Sequence, residues 1–145
     1  MNRRTAKKLS NKLVLAVHMA DIEAVRLLLR AGADADRPDA DGTTPLYAAA
    51  VRGDAEIAAM LLDAGADPDR ESGTGDEGLP LCGAAAWGHD DAVRALLAGG
   101  ADPNAREDGG FGRTAIQWTT TPGYEMPETR QILKDAGAFI PLTLL

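Results

Sequence analysis

The chain contains one cysteine, Cys82, so no internal disulfide can form, and nothing marks the sequence as shaped for an oxidising compartment. Aromatic residues are scarce, at 4%, while hydrophobic residues make up an ordinary 45% and alanine is plentiful. A core of Ala and Leu with few rings suits closely packed helices better than a β-sandwich. Long apolar runs are also missing. The best candidates, residues 13–17 and 139–145, fall far short of the about 20 residues that a membrane helix needs. The run at 13–17 is soon broken by His18 and Asp21, which does not fit a secretory leader. The expectation is a soluble, cytoplasmic chain forming a single domain over residues 1–145.

Acidic residues are absent from the first twelve positions, which hold Arg3, Arg4, Lys7, Lys8 and Lys12. The net charge is −7, and the remainder, with 10 basic and 22 acidic residues, stands at −12. So acidic a body repels a phosphate backbone, which argues against nucleic acid as a partner. The basic arm reads as the polar outer face of a terminal helix.

What the sequence does have is a period. Gly-Ala-Asp begins at Gly32, Gly65 and Gly100, and Gly-Ala-Phe at Gly137, at intervals of 33, 35 and 37 residues. An aliphatic anchor recurs in phase at Leu13, Leu46, Leu81 and Ile116. Two anchors holding step along the chain define four repeats, at approximately 5–38, 39–71, 72–106 and 107–140, with an apolar tail at 139–145. Each repeat reads as two short helices. In the second, Thr44 and Pro45 open a helix over 46–51 that Gly53 ends, and Asp54 opens another ended by Gly65. The same grammar predicts helices at 22–30 and 92–98 and places Pro127 at the start of the last one. Helices this short must stack to be stable. The Asp-, Gly- and Pro-rich segments 34–42, 67–78 and 102–112 read as turns or hairpin-like fingers.

The run Asp41-Gly42-Thr43-Thr44-Pro45-Leu46-Tyr47-Ala48-Ala49-Ala50, then Gly53 and Leu61-Leu62-Asp63-Ala64-Gly65-Ala66-Asp67, closely resembles an ankyrin repeat. The third repeat, with Leu79-Pro80-Leu81-Cys82, Gly88-His89 and Leu96-Leu97, is similar. The resemblance spans roughly residues 13–138 and implies an all-α ankyrin-repeat solenoid: helix-turn-helix units joined by finger loops, of the small single-domain kind common in bacteria. Val14, Tyr47, Cys82 and Gln117 stand where the family has the histidine of Thr-Pro-Leu-His. Ala115 replaces a proline, and Lys134 replaces a second buried leucine, as suits a solvent-facing end repeat.

The resemblance further implies binding through finger tips and the exposed ends of the first helices, on a concave face. Carried onto this sequence, it nominates Met19, Thr43, Val51, Arg52, Trp87, Phe111 and Arg113, with His18, Ala40, Asp41, Asp76, Ala86 and Thr121 beside them. Trp87 reads equally as an exposed hot spot or as a ring packed across a neighbouring repeat. Phe111, between glycines, reads equally as a presented tip or as a ring tucked under a turn. Trp118 reads as packing, and the apolar tail as a cover for the last repeat.

Catalysis has little support in the sequence. Two histidines and one cysteine without ligand spacing make no zinc site. The acids Asp67, Asp69, Glu71, Asp76 and Glu77 lack the spacing of a calcium loop, and no glycine motif follows a phosphate-loop pattern. Cys82, at a predicted helix start where a thiol pKa can fall, is the one candidate nucleophile. The reading is a non-enzymatic binding module with no cofactor. Its partner is a protein, and a basic one if the module is an inhibitor or accessory subunit. The module is a monomer, or a homodimer if the tail self-associates.

Overall fold

The computed structural model describes residues 1–141. The helices come in pairs: α1 (Arg3–His18) with α2 (Ile22–Arg30), and α3 (Pro45–Arg52) with α4 (Ala55–Asp63). They continue with α5 (Pro80–Ala86) and α6 (Asp90–Ala98), then, after a short turn α7 (Glu107–Gly110), with α8 (Ala115–Trp118) and α9 (Pro127–Asp135). Among the described residues there is no strand. The last helix opens at Pro127, and α2 has the bounds that its periodicity predicts. α3 gains Pro45 and Arg52 over the expected 46–51, and α6 starts at Asp90, two residues before the expected 92.

Local chemistry sets these boundaries. Asn2, Asp21, Thr44 and Asp54 each accept a hydrogen bond from the backbone N–H three residues on, at 2.9 to 3.3 Å, which satisfies donors that a helix start leaves open. Leu79 opens α5 without a cap of its own; its N–H donates instead to Glu107 Oε1 at 3.3 Å.

The pairs stack in two layers. α1, α3, α5 and α8 follow one another in the first, and α2, α4, α6 and α9 in the second. Leu13, Leu46, Leu81 and Ile116 are buried along the first layer, and Leu61, Leu96 and Leu133 along the second. Lys134 is exposed at the far end of the stack.

The loops after each second helix are tied by a repeated hydrogen bond. Asp34, Asp67 and Asp102 each accept from the N–H two residues on, at 2.9 Å, closing a tight turn. The residue reached then binds the next turn along. Asp36 Oδ1 accepts from Asp67 N at 3.0 Å, Asp69 Oδ1 from Asp102 N at 3.0 Å, and Asn104 Oδ1 from Phe139 N at 3.1 Å. Burial raises the Asp69 carboxyl above its ordinary pKa, opposed by the Asp102 N–H. The fingers close as the sequence suggests: Ser72 and Gly78 exchange both backbone hydrogen bonds, Asp39 N donates to Thr43 O, and Glu107 N to Arg113 O.

One junction departs from its counterparts. Gly53 and Gly88 turn the chain between helices at φ +73° and +67°, and Ala20 does the same at +54°. A Cβ on Gly53 would lie 2.6 Å from His89 Nδ1, so glycine is required there on two counts. Ala20 carries a Cβ in a left-handed conformation that costs about 1–2 kcal/mol, offset in part by glycine's greater unfolded-state entropy. Ala20→Gly is expected to stabilise the fold by about 0.5–1 kcal/mol, read as a raised urea midpoint with an unchanged slope.

Candidate functional site

Met19, Arg52 and Trp87 occupy equivalent places at the ends of α1, α3 and α5, spaced 33 and 35 residues apart. Neighbouring helices pack about 8–10 Å apart, so these three form a row across the first layer. All three are exposed. Met19 is 72% and Trp87 68% accessible, which leaves the indole ring largely uncovered by the adjacent helices.

The third finger presents a second cluster. Phe111 is 92% exposed: the glycines form a tight turn, with left-handed Asp108 and Gly109, that lifts the ring outward. Arg113 lays its guanidinium over the Trp118 ring, 4.8 Å from the centroid, and Trp118 Nε1 donates to Glu107 Oε2 at 3.0 Å. Trp118 is half-buried, packed against the core as its place in the helix suggests, with Arg113 over its ring. An open cleft of about 480 Å³ brings Phe111 and Arg113 together with Gln117, Thr121 and Ile140.

Two nominated residues are already engaged. The Thr43 hydroxyl donates to Glu77 Oε1 at 2.8 Å, tying the first finger to the second, while Gly73 N donates to Gly42 O. Val51 is half-buried and points its Cγ1 at Gly83 of the next pair, and its carbonyl accepts from His89 Nε2 at 3.1 Å. His18, Ala40, Asp41 and Asp76 are exposed, whereas Ala86 and Thr121 are half-buried. Of the apolar tail, Phe139 and Ile140 remain more than half exposed and Pro141 is buried; residues 142–145 lie outside the described part of the chain.

Two further residues stand outside the sequence pattern. Tyr124, 72% exposed, sits between α8 and α9, in a link longer than those within the other pairs, where neither the period nor the resemblance supplies a counterpart. Glu107 joins α5 to the third finger through Leu79 N and Trp118 Nε1. Burial raises its pKa above the ordinary 4.5, against the pull of those two donors.

Cys82 is not an activated thiol. It is buried, with Sγ directed at Arg113 O at 3.8 Å; burial, then the Glu107 carboxylate, pushes its pKa far up. The expected helix-start activation loses to desolvation, which penalises the thiolate. A neutral-pH thiol reagent is expected to modify the native chain only at the rate of unfolding, with full labelling in denaturant. Rapid labelling of the folded chain contradicts this. Among the described residues, no group of three His, Cys, Asp or Glu side chains is placed to hold a metal ion, and no helix is long and apolar enough to cross a membrane.

Comparison with known families agrees with this architecture. A family model described as ankyrin repeats (3 copies) matches residues 5–72, and one described as ankyrin repeat matches residues 79–108, together more than half of the chain. The chain belongs to the ankyrin-repeat family, whose repeats are generally non-catalytic protein–protein interaction modules. No curated protein matches it.

Proposed function

We propose that this chain is a non-catalytic module, organised as four repeats, that binds a partner protein in the cytoplasm through its concave face and finger loops. The observation that carries this reading is the row Met19, Arg52 and Trp87, exposed at successive helix ends, with Phe111 and Arg113 on the adjoining finger. Large side chains left bare on a rigid scaffold cost solubility, and Trp and Arg are the types that dominate interface energetics. Thr43 and Val51 contribute by fixing the fingers and the helix spacing from within.

The charge of the body favours a basic partner, as for an inhibitor or accessory subunit. Asp41 and Asp76 stand exposed on the fingers, and acidic surfaces steer and orient cationic partners. A concentration-dependent mass that is lost on deleting residues 142–145 would instead support self-association through the tail.

The test is affinity capture from the lysate of the native host, with the parent chain and a Trp87→Ala, Arg52→Glu variant run side by side. Both substitutions are at exposed positions, and circular dichroism verifies that the variant is folded. A partner retained by the parent and lost from the variant supports the proposal. A partner retained equally by both overturns the assignment of the face.

A further inference from the structure

On the first helix pair, most of the surface that each later pair buries against its predecessor is open; Met19 is the exception, since its counterparts Arg52 and Trp87 are exposed as well. Leu15 lies in register with Ala48 and Gly83, both buried against the preceding pair. A Cβ on Gly83 would lie 2.9 Å from Val51 Cγ1, so this position receives side chains from a neighbouring helix. On α2, Ala24, Leu27 and Leu28 correspond to Ile57, Met60 and Leu61 of α4, of which Ile57 and Leu61 are fully buried.

At the first pair this surface is bare. Leu15 is 59%, Met19 72% and Leu27 60% exposed, and with Ala16, Ala24 and Leu28 they line a groove of about 470 Å³. The polar outer face expected of an end repeat is therefore confined to the start of α1. Arg4, Lys8 and Lys12 fall on the same side of that helix as Leu15 and Met19, at steps of three or four residues. All three are exposed, and among the described residues none forms a salt bridge. The acid on the rim, Asp21, is committed to capping α2 through Ala24 N at 3.1 Å.

We infer that this end of the solenoid is a docking groove for an acidic amphipathic helix of a partner protein. The partner's apolar stripe lies over Leu15, Met19, Leu27 and Leu28, and its Asp or Glu residues meet Lys8 and Lys12. From Arg4 to Met19 the helix face runs roughly 22 Å, the length of about four helical turns. A second copy fits less well, because a two-fold contact puts the same cationic groove on both sides and brings Arg4, Lys8 and Lys12 no acid beyond the capping Asp21. Another ankyrin-type helix pair is held off by Leu15, which protrudes where Ala48 and Gly83 leave room.

The probes are three labelled helical peptides of about 16 residues. They share one leucine stripe at helical spacing and differ only in carrying Glu, Gln or Lys beside it. Each is titrated against the full chain by fluorescence anisotropy, and the chain's mass is followed by sedimentation. The Glu peptide is expected to bind at least tenfold tighter than the Lys peptide and to weaken with salt. Its binding is expected to fall at least tenfold in a Leu15→Asp, Leu27→Asp variant and severalfold in Lys8→Glu, Lys12→Glu, but to persist in Trp87→Ala, Arg52→Glu. Equal binding of the three peptides overturns the inference, as does equal binding to the Leu15→Asp, Leu27→Asp variant. A parent dimer that this variant dissociates overturns it in favour of a second copy.

Discussion

Trp87→Ala is expected to weaken the complex with the captured partner by about 2 kcal/mol or more, roughly thirtyfold in Kd, while leaving the urea midpoint within experimental scatter. Both effects follow from the exposure of Trp87, 68% in the free chain. Truncation therefore removes little packing from the fold but a large, rigid apolar surface from the interface. Dissociation rate, rather than association rate, is expected to carry most of the change, since steering depends on charge and the substitution alters none. Calorimetric titration of parent and variant measures the affinity, and surface plasmon resonance separates the rates. A variant that binds within twofold of the parent excludes Trp87 from the interface.

Leu61→Ala has the opposite signature. Leu61 is fully buried in α4, between α2 and α6 and against α3. Removing its branched end costs about 2–5 kcal/mol, because stacked helices cannot collapse into the space. Against the about 5–15 kcal/mol that holds a domain of this size together, such a loss shifts the urea midpoint far down. A stack is coupled mainly between neighbours, so the damage is expected to spread to both adjoining pairs, and the unfolding transition is expected to broaden. A loss below about 1 kcal/mol would mean that the second layer relaxes more freely than its packing implies.

The helix pairs are legible in the sequence because their determinants are local. Asp54 caps α4, Pro127 opens α9 and Gly53 turns the chain, each acting within one turn of its own position. Loop ties that bridge pairs are not legible in this way. That Asp36 binds Asp67 N, or that Glu107 reaches both Leu79 and Trp118, depends on how far one pair is rotated on the next. Thr43 shows the same limit. Its place on a finger is readable, but the Glu77 carboxylate that engages its hydroxyl lies 34 residues on. Cys82 was placed near a helix start by its neighbours in sequence, yet its chemistry is set by the burial that stacking imposes. The bare end face was readable in principle, since Leu15 stands in register with Ala48 and Gly83, but its exposure becomes evident only in the assembled stack.

Hydrogen–deuterium exchange on the chain, free and with its captured partner, reads the binding face directly. New protection is expected at the ends of α3 and α5, in the segments around Arg52 and Trp87, and in the finger around Phe111 and Arg113. Protection confined to the second-layer helices α4, α6 and α9, with those segments exchanging as in the free chain, would contradict the assignment of that face.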